Sequence, residues 1–432
     1  MNHKNIVVIG AGIVGVSTAI WLRRDGHEVT LIDQSAPAAG ASGGNAGVIV
    51  PSGVVPVNSP GLIAKIPRML ASRSSPLFLH WPYAPRMMVW LARYLRHANP
   101  ADAARAARAL RAIVADSVAM HRELAAQTPA RKWIEACDYV FVYDCRADFD
   151  NDAFAWSLRK GVGIEWDELS DEQFAEYDAR FGRVGKHAVR LGGHARIADP
   201  QRYVQDLAAH FQQAGGAYRQ ARAHRIVGDA RGVRGVETDA GVIRCDCAVI
   251  ACGVWSKGLV EAIGLRVPLE TERGYHVDFI NPSAYPRASM MIAAGKFALT
   301  AMENRIRCAG LVEFGGLDAP LNRAAIDFIK RYFTATWPRI KYDRTEEWIG
   351  HRPAPVDSIP FIGGVGGVGG VGGVGGVGGG DRMPNLYAAF GHHHVGLTAG
   401  PRTGRMIADM IAGRDVGFDL APYRPSRFTR AT

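Results

Sequence analysis

A chain of 432 residues, 48% hydrophobic and 21% charged, is too long for one compact core and about right for two domains. That composition excludes disorder, collagen and small disulfide scaffolds; the six cysteines, at 137, 145, 245, 247, 252 and 308, form no Cys-x-x-Cys pair, so neither a disulfide framework nor a metal site is expected. The net charge of +10 comes with an acid-free stretch between Asp33 and Asp102. No apolar run reaches the roughly 18 residues of a bilayer span, and MNHKNIVVIG enters a strand without a signal-like pattern, so a cytoplasmic chain is expected.

Ile6-Val7-Val8-Ile9 reads as a buried strand, followed at once by Gly10-Ala11-Gly12-Ile13-Val14-Gly15 and a helical pattern through Asp25. In a strand–turn–helix unit Gly10 permits the turn, Gly12 admits a pyrophosphate against the backbone, and Gly15 lets helix and strand pack closely, with the phosphates at the helix N-terminus beside Ile13 and Val14. Val29 to Asp33 is the second strand, and Asp33, with Gln34 after it, stands where a carboxylate accepts hydrogen bonds from an adenosine ribose. An acid there repels a 2′-phosphate, which leaves FAD or NAD. Small residues recur in Gly40-Ala41-Ser42-Gly43-Gly44-Asn45-Ala46-Gly47.

Residues 54–100 interleave Lys65, Arg68, Arg73, Arg86, Arg93 and Arg96 with Trp81, Met87, Trp90 and Tyr94. Two readings follow: an amphipathic helix with its apolar face in the core, or a patch for an anionic membrane surface. Nucleic acid is not expected, because no recognition element accompanies the charge. Residues 101–127 are helical in pattern, whereas 266–313 alternate as strands. Cys247 to Ala251 is a buried strand that ends in Gly253-Val254-Trp255. Leu386 to Phe390 is another, ending in Gly391-His392-His393-His394-Val395-Gly396-Leu397-Thr398, with a helix expected over Arg402 to Ile411. A nucleotide site built from both ends of a chain and its middle suits a flavoprotein. The three consecutive histidines project in different directions, so a metal is not expected.

The chain resembles the FAD-dependent D-amino-acid oxidase superfamily, and most of all its bacterial D-amino-acid dehydrogenases. The likeness rests on the N-terminal fingerprint, Arg24-x-Gly26-x-x-Val29, the S-x-x-N-A-G loop, Arg273-Gly274-Tyr275, Gly350-His351-Arg352-Pro353 with Pro355-x-Asp357-x-x-Pro360-x-Ile362-Gly363, and the closing G-H-x-H-x-G-L-T. It implies an α/β fold: a glutathione-reductase-like Rossmann domain for FAD from residues 1–62, 190–268 and 352–432, and an α+β substrate domain with a mixed sheet from 63–189 and 269–351. It also implies oxidation of a D-amino acid, a D-proline-like secondary amine included, with electrons passed to a quinone or respiratory acceptor; the membrane reading of residues 54–100 would then attach the chain to the inner face of the membrane. Rivals are a glycine or sarcosine oxidase using oxygen and a flavoprotein that serves assembly or RNA modification.

The resemblance places Arg352 on the substrate carboxylate, which a planar guanidinium matches bidentately. Tyr275, His276 and His394 are the other candidates for the substrate wall. Backbone N–H groups of Val395, Gly396, Leu397 and Thr398 are expected at flavin O2, and Ser42, Asn45, Ala46, Gly47, Gly253, Trp255 and Gly363 are expected at FAD. Gly363 to Gly380 reads GGVGGVGGVGGVGGVGGG, departs from the family pattern, and is expected to form a flexible surface loop.

Overall fold

The computed structural model describes residues 3–60, 77–182, 187–365 and 383–429. The short apolar runs near both ends of the chain and in its middle come together in one sheet. Its strands are β1 (Asn5–Ile9), β2 (Glu28–Asp33), β8 (Ala217–Gln220), β12 (Cys247–Ile250), β18 (Phe361–Gly364) and β19 (Leu386–Phe390), in the order β18-β19-β12-β1-β2-β8. All neighbours run parallel except β18 against β19. β1 and β12 are covered on both faces, which is why they read as unbroken apolar runs instead of alternating. The helix Ile13–Arg24 follows β1 and packs on the helix Gly396–Ala412; a Cβ on Gly404 would lie 2.6 Å from the Thr18 nitrogen, so only glycine permits this approach.

The alternating segments build a ten-stranded mixed sheet from β3 (Val48–Ile49), β4 (Leu77–Leu79), β5 (Ile134–Tyr143), β6 (Asp167–Leu169), β7 (His187–Ile197), β13 (Leu269–Ile280), β14 (Ser289–Ile292), β15 (Phe297–Met302), β16 (Arg305–Phe314) and β17 (Arg344–Pro355). The main path is β17-β13-β16-β15-β14-β5-β7-β3, with β4 beside β16 and β6 beside β7. A small antiparallel sheet of β9 (Ala223–Asp229), β10 (Gly232–Thr238) and β11 (Gly241–Arg244) completes the β structure. β7 and β17 run straight through positions 190 and 352, where the sequence suggested domain boundaries, and both belong to the large sheet.

One face of the large sheet is core. Odd-numbered residues of β13 (Tyr275, Val277, Phe279) pack under the helix Arg323–Thr336, where Phe279 stacks on Phe333 at 3.9 Å. The other face looks toward the parallel sheet, and the space between holds the candidate site.

In the basic region the helix Ala84–Arg96 buries Met87, Trp90 and Tyr94 against Ala354 and Val356, as the core reading expects of one face. Residues 61–76 of this region, and 366–380 of the glycine-valine repeat, lie outside the described residues. Gly363 and Gly364 are the end of β18, paired with Ala388 and Tyr387.

Candidate active site

The glycine turn is built as its spacing requires. Gly10 has φ +109°, and a Cβ there would meet the Ala251 carbonyl oxygen at 2.5 Å; one on Gly15 would sit 1.8 Å from the Gly10 oxygen. Bulk is thus excluded where β1, β12 and the first helix converge. The Asp33 carboxylate at the end of β2 accepts from the N–H of Ala11 (2.7 Å) and of Ser35 (2.9 Å), and burial raises its pKa despite these bonds. Ser42 accepts from the N–H of Ile13 at 2.9 Å, tying the second small-residue loop to the helix N-terminus.

A cavity of about 1280 Å³ starts at this turn and ends over the large sheet. It exceeds the roughly 300–1,000 Å³ of an ordinary ligand pocket, as a dinucleotide with a substrate beside it would need. Gly10, Gly12, Ile13, Val14, Asp33 and Gln34 line one end, Ser42, Asn45, Ala46, Gly253 and Trp255 its flanks, and Val395, Gly396, Leu397 and Thr398 the other end. Gly15 packs the helix on the strand, as its place in the turn suggests, and does not line the cavity. Two other expected cofactor contacts also lie outside the lining: Gly47 makes a turn at φ +74° held by Asn45 Oδ1 at 2.8 Å, and Gly363 sits in the edge strand β18.

The helix expected from Arg402 begins at Gly396, so its first-turn N–H groups, Gly396 to Thr398, open on the cavity as an anion-stabilising end. The N–H of Val395 is instead turned to the His392 carbonyl at 2.9 Å. The helix runs on through Pro401, which has no N–H for the Leu397 carbonyl four residues earlier. His121 supplies that donor: Nε2 lies 2.9 Å from the Leu397 oxygen, and Nδ1 then accepts from the Tyr203 hydroxyl at 2.7 Å.

Loop 42–47 is pinned from the large sheet. Arg307 donates to the carbonyls of Gly43 and Asn45, both at 2.9 Å, while holding Asp278 at 2.8 Å. His276 Nδ1 bonds the Gly44 carbonyl at 2.9 Å and its ring stacks on Trp348; a Cβ on Gly44 would lie 2.3 Å from that indole. His276, expected in the substrate wall, is therefore a buried loop anchor, with its pKa pushed down to about 3 by burial and by Arg307. Tyr275 borders the cavity but turns its hydroxyl away, donating to Glu313, which also pairs with Arg273 at 3.0 Å. Strand parity explains both placements: from Glu272 on, even residues of β13 face the parallel-sheet side, and Tyr275, Val277 and Phe279 face the core.

On the even face Glu272 lies opposite Arg352 of β17, and Gly274 leaves room for the Arg352 guanidinium to cross β13. Arg352 donates to the carbonyls of Leu311 (2.9 Å) and Gly310 (3.3 Å), stands 3.9 Å from Glu272, and lines the cavity. Glu272, 2% exposed, bonds His393 Nε2 at 2.6 Å; His393 beside it and Arg352 beyond hold the carboxyl at about 2 against the opposing effect of burial. The three histidines diverge: His392 bonds Thr403 Oγ1 at 2.9 Å, His393 takes Glu272, and His394 is exposed to the cavity, where partial desolvation and the neighbouring His393 push its pKa down. Among the described residues no group of three or more His, Cys, Asp or Glu is placed to hold a metal. Sequence reasoning missed Glu272, Arg307 and His121, whose partners lie far away in the chain.

A Rossmann turn, a cavity large enough for a dinucleotide and a mixed sheet over it are the parts of a dinucleotide-dependent oxidoreductase. The chain belongs to the DAO family of FAD dependent oxidoreductases, which it matches over residues 5–410. A protein of Bradyrhizobium diazoefficiens named D-amino-acid oxidase is 35% identical to it over 98% of this chain and 99% of its own length. A D-amino acid dehydrogenase of the same organism is 28% identical, covering 98% of each. Among solved structures, glycine oxidase from Geobacillus kaustophilus superposes with a TM-score of 0.71 at 17% identity over 99% of both chains, a likeness of fold. No described helix is long and apolar enough to cross a membrane.

Proposed function

We propose that the protein oxidises the Cα–N bond of a D-amino acid, a D-proline-like secondary amine included, to the imine and passes the electrons to a quinone or respiratory acceptor. The observation that carries this reading is Arg352, a guanidinium anchored on two carbonyls of β16 with part of its surface open to the cavity. Bound FAD supplies the two-electron oxidant. Arg352 clamps the substrate carboxylate and so fixes where the Cα–H points. Glu272 orients Arg352 and balances its charge when no substrate is present. His394, neutral at ordinary pH, accepts a hydrogen bond from the substrate amine. The N–H groups of Gly396 to Thr398 stabilise the negative charge that builds up at their end of the cavity.

A second reading, in which oxygen is the acceptor, is favoured by the 35% identical relative named an oxidase. The quinone reading draws support from the outer side of the basic region, where Trp81 and Val89, each 67% exposed, and Met88, 54% exposed, stand among Arg86, Arg93 and Arg96. Anaerobic bleaching of the flavin by a panel of D- and L-amino acids, followed by oxygen or a quinone analogue, tests substrate and acceptor together. Bleaching by D-amino acids that Arg352→Met lowers about 100-fold in kcat/KM is the expected result; a flavin that no amino acid bleaches refutes the reading. Enzyme that stays off anionic vesicles at low salt removes the membrane contact.

A further inference from the structure

Among the described residues, one buried cation of the cavity wall has neither a hydrogen-bond nor an ion-pair partner. Arg159, on the helix Ala153–Gly161, lines the cavity yet is 7% exposed. Its guanidinium carbon lies 4.7 Å over the Phe141 ring and 4.4 Å over Trp156, so two aromatic faces hold it flat. Nε and Nη1 are buried without a hydrogen-bond partner, and among the described residues Nη2 makes no bond or ion pair either. The nearby acid Asp152 is bonded to Tyr143 and does not pair with it. Burying a guanidinium with its donors idle is costly, because arginine does not shed its proton to escape the penalty. The compensating anion must therefore come through the cavity.

The cavity has acids only elsewhere: Asp33 at the ribose end, Glu261 beyond the Trp255 turn, Glu270 on the Tyr83 hydroxyl, and Glu272 on His393. Around Arg159 the lining is Val50, Ser52, Tyr139, Phe141 and Met291, all neutral. Resting on the proposed oxidation of an amino acid clamped at Arg352, we infer that Arg159 forms a subsite for a second carboxylate, at the far end of an acidic substrate side chain.

The sheet sets the length of that side chain. Arg352 is anchored on β16 and Arg159 lies over β5, with β15 and β14 between. Three interstrand spacings are about 14 Å. A guanidinium–carboxylate pair takes up about 4 Å at each end, leaving roughly 6 Å between carboxylate carbons. The carboxylates of aspartate, about 4 Å apart, fall short of this, and those of a six-carbon acid reach it.

The test compares acidic D-amino acids with their neutral isosteres on the holoenzyme. The ratio of kcat/KM for D-glutamate over D-glutamine should exceed one, and the preference for the acid should rise from D-aspartate through D-glutamate to D-2-aminoadipate. Arg159→Gln should cut the D-glutamate to D-glutamine ratio about 100-fold, and Arg159→Lys should restore part of it. A ratio that Arg159→Gln leaves unchanged, while neutral D-amino acids still bleach the flavin, overturns the subsite and spares the oxidation. Binding gives a reading that does not need turnover: adipate should perturb the flavin spectrum at lower concentration than hexanoate, and Arg159→Gln should abolish that difference. Equal binding of the two acids by the unmodified protein overturns the subsite whether or not any amino acid is oxidised.

Discussion

Acid should destabilise this protein well above the range in which carboxylates titrate. His121, His194, His276 and His392 are each at most 4% exposed and each makes hydrogen bonds as a neutral ring; burial lowers their pKa to about 4, 4, 3 and 3. His194 Nδ1, for instance, faces the Gly192 carbonyl at 2.8 Å, so Nε2 is the acceptor for the Ser52 hydroxyl at 2.7 Å. The folded values lie below the unfolded value of about 6.5, so between the two the unfolded chain binds the extra protons. The stability these rings provide is whole above pH 6.5 and is lost as pH falls toward 4. At pH 5 each ring costs about 2 kcal/mol relative to pH 8, and the four together about 8 kcal/mol, comparable with a whole domain's stability. For a chain of this length that is a fall in Tm of roughly 9 °C. Flavin release and circular dichroism followed during heating at pH 8 and pH 5 measure it. His392→Asn, which cannot titrate and still bonds Thr403, should remove about a quarter of the fall. A Tm at pH 5 within about 2 °C of that at pH 8 would refute the reasoning.

Three further outcomes follow from the site. Gly15→Val forces a Cβ into the Gly10 carbonyl, so the purified protein should lose its absorbance near 450 nm; full flavin content would show that the turn opens without harm. With the pKa of His394 lowered and that of Glu272 near 2, neither titrates between pH 7 and 9, so the midpoint of flavin bleaching should move with the amine pKa of the substrate; a midpoint that stays put from substrate to substrate points to a protein base. Val365 donates to the Leu386 carbonyl at 2.8 Å where β18 and β19 lie side by side, so a short turn can replace residues 366–380. That variant should keep its flavin content and bleaching rate, and a colourless product would show the repeat to be structural.

What the sequence discloses of this site is whatever chemistry works at short range. Gly10, Gly12, Gly15 and Asp33 act within one strand–turn–helix unit, so their spacing alone carries the meaning. Arg273-Gly274-Tyr275-His276 shows the limit. A period of two means that half of such a run must face away, and which half depends on Arg352 crossing Gly274, a contact between strands far apart in the chain. Glu272 and His393 are 121 residues apart, and His121 and Leu397 are 276 apart, so neither pairing has a local signal. Pro401 lies inside the helix, one residue before the expected start at Arg402, and the donor that replaces its missing N–H comes from another helix, a partner with no local signal. Arg159 could have been suspected from its i, i+3 spacing to Trp156, although that spacing does not reveal that the guanidinium lacks an acid.

The strand order of the parallel sheet also bears on how the chain is made. β1 lies between β2, which follows it closely, and β12, whose Cys247 pairs with Ile6. At about 5–20 residues per second a ribosome needs roughly ten to fifty seconds to deliver β12 after β1 has emerged. During that interval one edge of an apolar strand is open to any other strand, and the helix end that closes the far side of the cavity is still unmade. A cofactor in the cavity cannot template the early fold, because the lining draws on residues from Gly10 to Thr398. Slower, cooler synthesis with chaperones in excess should therefore raise the soluble yield more than added riboflavin does.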